Sequence, residues 1–110
     1  AAISDRGADV VLDRAKALYA MNPNFTPVLN MMGYAYMDKG DLDNAGKKFQ
    51  EQIRRAAGSA NPYDSMGDYY LAINDKTAAL KYFEQSAKMG LKASVSKADS
   101  LRSEFSKQDN

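Results

Sequence analysis

Asp64 and Asp68 stand one helical turn apart, the closest approach in this chain to the paired carboxylates of acid–base hydrolysis. That chemistry needs an apolar pocket to keep one carboxyl protonated, and nothing in the surrounding sequence supplies one. The chain of 110 residues has no His and no Cys, which removes imidazole catalysis, thiol nucleophiles, disulfides and zinc-finger ligation together. No catalytic residue is assigned, and the composition argues against an enzyme. Asp41-Leu42-Asp43-Asn44-Ala45-Gly46 followed by Gln52 partly echoes a calcium loop, but Ala45 stands where an oxygen ligand is required and Gln52 where a bidentate Glu is. The same acids are explained by the start of a helix, with Asp43 near the positive end of the dipole. No metal and no cofactor is expected.

Lys47, Lys48, Arg54 and Arg55 form one basic group, and Lys81, Lys88, Lys92 and Lys97 follow later. With 15 Lys+Arg against 14 Asp+Glu the net charge is only +1, too little to hold a polyanion, so these read as a solvated face rather than a nucleic-acid surface. Asn24-Phe25-Thr26 matches a glycosylation acceptor by pattern alone. The longest aliphatic run, Val10-Val11-Leu12, falls far below the ~20 residues a membrane span needs, and Ala1-Ala2-Ile3 shows no signal-peptide pattern. At 45% hydrophobic and 26% charged residues, the chain has the composition of a folding domain.

The elements that position these residues follow from a repeat. Met32 and Met66, Gly33 and Gly67, Tyr36 and Tyr70, Asp41 and Asp75, Ala45 and Ala79, Lys47 and Lys81, and Phe49 and Phe83 each lie 34 residues apart. Each unit reads as two helices. Leu29, Met32, Gly33 and Tyr36 share one helical face, as do Tyr63, Met66, Gly67 and Tyr70. Thr26-Pro27 and Asn61-Pro62 look like side-chain N-caps followed by helix-opening prolines. Gly40 and Asn74 suit left-handed turns, and Asp41 and Asp75 suit the caps of the helices that follow. Ala45 and Ala79 are expected opposite the glycines, with Phe49 and Phe83 filling the space between neighbouring hairpins. Helices are predicted near 6–21, 26–38, 42–57, 61–73, 76–89 and 94–107. Most of the six Met residues fall on the faces expected to be buried, while Met31 and Met37 lie where a partner would meet them.

Leu29-x-x-Met32-Gly33-x-x-Tyr36 with Gly40, Ala45 and Phe49, and Tyr63-x-x-Met66-Gly67-x-x-Tyr70 with Ala79 and Phe83, resemble two tetratricopeptide repeats. Asn74 in the second turn, Gln52 and Ser86 where a small Ala is typical, and the missing closing Pro mark them as divergent. The resemblance implies an all-α solenoid of about six antiparallel helices forming a right-handed superhelix. It is read here as one domain over 1–110: a half repeat or packing helix at 5–25, repeats at 26–59 and 60–93, and a capping helix with tail at 94–110. In the half repeat, Val11, Leu12, Ala15, Leu18 and Tyr19 are the expected apolar face. In the cap it is Val95, Ala98, Leu101 and Phe105, with Gly90 ending the preceding helix and Ser94 as N-cap.

The resemblance also implies a non-catalytic module that binds a peptide or helix in a concave groove lined by the first helix of each hairpin. Those positions carry Asn30, Tyr34, Met37 and Asp38 in one unit and Asp64, Asp68 and Leu71 in the next. A basic or amide-rich polypeptide would offset the acids, whereas the Lys, Asn and Arg set that grips a C-terminal carboxylate is not matched. The alternative is a structural or oligomerisation appendage docking through an open N-terminal edge of Val11, Leu12, Tyr19 and Met21. The wording around Tyr63–Tyr70 is similar to segments appended to bacterial envelope and hydrolase-type proteins. The expected setting is therefore soluble, in a bacterial cytoplasm or periplasm, with no nucleic-acid or membrane partner.

Overall fold

The computed structural model describes residues 5–108, so the signal-peptide reading at Ala1–Ile3 and the last two residues of the tail lie outside it. Six helices follow in order: α1 (Asp5–Met21), α2 (Pro27–Asp38), α3 (Leu42–Arg55), α4 (Asn61–Ala72), α5 (Lys76–Lys88) and α6 (Lys92–Gln108). The fold is all-α, and each boundary lies within about two residues of its expected place. The helices sort into two compact units divided between Ala57 and Gly58. In the first, α1 packs on α2 and α2 on α3; in the second, α4 packs on α5 and α5 on α6. Short connections make these neighbours antiparallel.

The turns are built as their residues demand. Gly40 has φ 77° and Asn74 φ 63°, so both hairpins reverse through a left-handed residue that Gly or Asn tolerates best. Asp41 then accepts from the Asn44 backbone N–H at 3.2 Å and Asp75 from that of Ala78 at 3.1 Å, capping α3 and α5. The calcium-like acids are thus the first turn of α3. Gly90, with φ 103°, lies just beyond α5. The openings of α2 and α4 differ from expectation. Thr26 (φ −66°, ψ −23°) and Ala60 (φ −73°, ψ −34°) are already helical and make no side-chain cap. A capping hydroxyl requires extended backbone, so the prolines start these helices without it. Asn61 falls inside α4 rather than before it.

In unit 1 the core joins Ala8, Leu12 and Ala15 of α1 to Val28, Leu29, Met32 and Ala35 of α2, with Val11, Tyr19 and Tyr36 packed at its edge. Leu18 lies off that arc and is exposed, contrary to the expected apolar face. Unit 2 buries Ala79 and Phe83 of α5 against Ala98 and Leu101 of α6, flanked by Tyr70, Leu80 and Phe105. Val95 is exposed instead of joining the cap stripe. Ser94 takes a buried place on that side and is not an N-cap, because α6 begins two residues earlier. Of the Met residues only Met32 and Met66 are fully buried; Met21 and Met31 are exposed and Met37 and Met89 half-buried.

The hairpin contact itself also differs from the expected one. A Cβ on Gly33 would lie 2.3 Å from the Phe49 ring, and one on Gly67 would lie 2.3 Å from the Phe83 ring. The aromatic ring, not the small alanine, therefore lies on the glycine. Each ring is held within its own hairpin, and both are completely buried. Phe49 also receives the Tyr34 ring edge-on, with centroids 5.1 Å apart.

This geometry sets a sign. Ala is better than Gly in a helix by about 1 kcal/mol, yet a methyl driven into a rigid buried ring costs about 1–3 kcal/mol through overpacking. Gly33→Ala and Gly67→Ala are each expected to lower the urea midpoint, and Phe49→Ala to cost about 3–5 kcal/mol through the cavity it leaves. In the Gly33→Ala/Phe49→Leu pair the losses should sum to less than the two single changes. A Gly33→Ala protein of unchanged midpoint would show that the ring does not set the helix spacing.

Candidate functional site

One face of α4 carries Asp64 and Asp68, both half-buried, and the exposed Leu71, and α6 supplies partners of both acids. Lys97 donates to Asp64 Oδ2 at 2.9 Å and to Asp68 Oδ1 at 3.1 Å. Its ammonium also sits 5.3 Å from the centroid of the Phe83 ring. Like charges one turn apart destabilise a helix by a few tenths of a kcal/mol when alone, and one cation between them reverses that. The triad as a whole keeps one net negative charge.

A hydroxyl relay lies beside it. Ser94 Oγ donates to Asp64 Oδ1 at 2.6 Å and lies 2.8 Å from Ser86 Oγ, which in turn donates to the Ala60 carbonyl at 3.0 Å. Two hydroxyl protons serve three contacts. The Ser94 hydroxyl is shared between the Asp64 carboxylate, the stronger charged acceptor, and Ser86 Oγ, while the Ser86 proton goes to the Ala60 carbonyl. The same carbonyl accepts the backbone N–H groups of Tyr63 and Asp64, which gives α4 the satisfied start that no side-chain cap provides. Ser86 thus turns a departure from the small-residue pattern into a link among α4, α5 and α6.

In unit 1 the corresponding face of α2 presents Asn30, Tyr34, Met37 and Asp38, all half-buried. Asn30 and Tyr34 are engaged in contacts of their own, so their polar groups are not idle. Gln52, the counterpart of Ser86, is 96% buried, and its Oε1 accepts no hydrogen bond. On the far side of this unit Tyr19 donates to Glu51 at 2.8 Å, and Arg55 lies over the Tyr19 ring at 5.5 Å while donating to the Pro23 carbonyl at 2.8 Å. This clasp absorbs part of the basic group at Lys47–Arg55 and fixes the end of α1 to α3.

Sequence reasoning located Asp64 and Asp68 but missed Lys97, Ser94 and Ser86. Their signal was present only as polar residues at the spacing Ser94-x-x-Lys97 on a helix whose sequence reads as a solvating cap. The proposed N-terminal edge changes as well. Leu12 is buried and Val11 and Tyr19 pack against the α1–α2 core, so of the four named residues Met21 alone is exposed, at 83%; Val10 and Leu18 are the other large apolar residues exposed on the described part of α1. Among the described residues no cluster of acids could hold a metal ion, and no helix is long and apolar enough to cross a membrane.

Burial pulls the Lys97 ammonium down, but hydrogen bonds to Asp64 and Asp68 outweigh it and leave it above the ordinary lysine value of 10.5. A base raised in the folded state contributes stability that is complete below the unfolded pKa and lost as pH rises through the folded one. Tyr19 is also raised, by burial first and then by Glu51, and its contribution disappears in the same direction. The wild type should therefore lose stability on the alkaline side of pH ~10.4. Lys97→Met should start lower at neutral pH and fall less steeply there, as read from urea midpoints between pH 7 and 11. Parallel curves for the two proteins would mean that Lys97 is not paired in solution.

The family model described as tetratricopeptide repeat matches this chain over residues 26–58 and 60–89, more than half its length. No curated protein matches it significantly.

Proposed function

The chain belongs to the tetratricopeptide repeat family, whose members are generally protein–protein interaction modules, and we propose that this one binds a basic polypeptide on the α4 face of unit 2 without performing chemistry of its own, the α2 face of unit 1 being a candidate by itself. The observation that supports the reading is the acidic character of those faces. Asp64 and Asp68 share the cation Lys97, Asp68 having further contacts of its own, and Asp38 on α2 makes no ion pair among the described residues. A cationic side chain brought to either helix meets net negative charge. Leu71, exposed at the far end of α4, and half-buried Met37 at the far end of α2 supply apolar contact beside it. A carboxylate-bearing ligand would meet Lys97 only by competing with two resident acids.

Charge changes on the face separate this reading from a purely structural role. With a fluorescent lysine-rich peptide as probe, Lys97→Met should tighten binding and Asp68→Asn weaken it, each by roughly two- to fivefold, with the difference shrinking in salt. The doubly substituted Tyr34→Ala/Asp68→Ala protein, shown by circular dichroism to be folded, should bind much less. Equal affinity for all four proteins would refute the assignment.

A second reading rests on α1. Val10, Leu18 and especially Met21 leave apolar surface on the side of α1 away from α2. Such a face fits the structural alternative, docking on another domain or another copy of the chain. Sedimentation velocity across a hundredfold concentration range should then show association that Met21→Lys/Val10→Lys abolishes. A strict monomer throughout would remove self-association as its purpose.

A further inference from the structure

A cavity of about 330 Å³ opens on unit 2 where the start of α4 meets the middle of α5, lined by Tyr63, Lys81, Tyr82 and Gln85. Its wall is a ladder of rings. Tyr82 stacks on Tyr70 with centroids 5.3 Å apart and planes 14° apart, and on Tyr63 at 6.5 Å and 26°; Tyr69 meets Tyr70 edge-on at 5.3 Å. Each ring is fixed by the next, so the wall is preorganised and loses little freedom when something is laid against it. Tyr82 belongs to no core cluster. Burial, followed by its contacts with Tyr70, raises its hydroxyl above the ordinary tyrosine range, so the ring is neutral at any physiological pH.

The rim has one sign of charge. Lys81, Gln85 and Lys88 recur at i, i+4 and i+7, which places them on one stripe of α5. Elsewhere in unit 2 Lys76 pairs with Glu104, Lys97 with Asp64 and Asp68, and Arg102 with Glu84 and Asp99, while Lys92 and Lys107, outside this stripe, make no ion pair among the described residues. Lys81 and Lys88 make no ion pair among the described residues. The nearest acid of the helix, Glu84, is held by Arg102 at 2.7 Å. Lys88 in the last turn complements the helix dipole, but Lys81 lies in mid-helix, where the dipole asks for no cation.

We propose that this cavity is a second binding site, separate from the α4 face, that takes an aromatic or aliphatic side chain flanked by carboxylates on an acidic peptide. The volume lies at the small end of ligand pockets, about 300–1,000 Å³, and suits a single side chain. The tyrosine rings receive it by stacking or edge contact, Gln85 offers both a donor and an acceptor to the peptide backbone, and Lys81 and Lys88 attract the flanking acids. The two faces of unit 2 thereby select ligands of opposite charge. The cavity lies beside the Tyr63 end of α4, while Asp64 and Asp68 are turned toward Lys97.

The test is an amide chemical-shift titration of the full chain with the capped peptide acetyl-Glu-Phe-Glu-Glu-amide, using acetyl-Lys-Phe-Lys-Lys-amide as the charge-reversed control. The acidic peptide should perturb Tyr63, Lys81, Tyr82 and Gln85. Lys81→Glu should weaken it by roughly two- to fivefold and Lys81→Glu/Lys88→Glu further, and salt should weaken it as well. These lysines are exposed, so the variants keep the fold and the comparison stands without altering a tyrosine. Equal perturbation by both peptides, perturbation confined to other residues, or none at millimolar peptide would each overturn the site.

Discussion

The separation of the two helices in each hairpin is fixed by one contact, a phenylalanine ring resting on a glycine. No side chain but hydrogen fits under Phe49 at position 33 or under Phe83 at position 67. The ring replaces the missing side chain and fills the groove it leaves, so the backbone of the first helix and the aromatic of the second meet at van der Waals range. In unit 2 that spacing also places α6. With Phe83 seated on Gly67, its other side is covered by Ala98 and Leu101, which brings Lys97 and Ser94 of α6 to the acids of α4. The charged face is therefore a consequence of a wholly apolar contact.

The helices and their turns were legible in the sequence because their causes are local. A 34-residue recurrence, left-handed turn residues and aspartate caps each act within a few residues of themselves, and Gly40, Asn74, Asp41 and Asp75 behave as their types require. Reading failed where the answer depends on a partner distant in the chain. Leu18 and Val95 have the right residue type at nearly the right spacing, but a helix buries only the arc its neighbour covers, and a displacement of one position takes a side chain out of it. Thr26 has a capping hydroxyl and lacks the extended backbone that would let it cap.

Helical periodicity puts Asp64 and Asp68 on one face of α4, and the choice of that face as a ligand surface comes from the family resemblance, whereas their ion pairs with Lys97 join residues about thirty positions apart. Polar residues have no pattern comparable to the apolar stripe that announces their partners. Ser86 illustrates this: on type it departs from the small apolar residue the repeat prefers, while in the fold its hydroxyl meets the Ala60 carbonyl at the uncapped start of α4. Gln52 occupies the equivalent position in the first repeat, where its carbonyl oxygen accepts nothing.

Each helix packs principally on the helix next to it in the chain, within the first unit and again within the second. The main helix–helix packing of either unit is therefore made between chain neighbours joined by turns of a few residues, where the entropic cost of closure is small, and only side-chain links such as Lys97 to Asp64 or Tyr19 to Glu51 reach further. Chains with this economy of sequence separation reach the native state in the microsecond-to-millisecond range, ahead of β-rich domains of equal size. The interval during which the tyrosine rings and unpaired helix faces are available for misassembly is correspondingly short, an advantage that the hairpin order confers before any partner is bound.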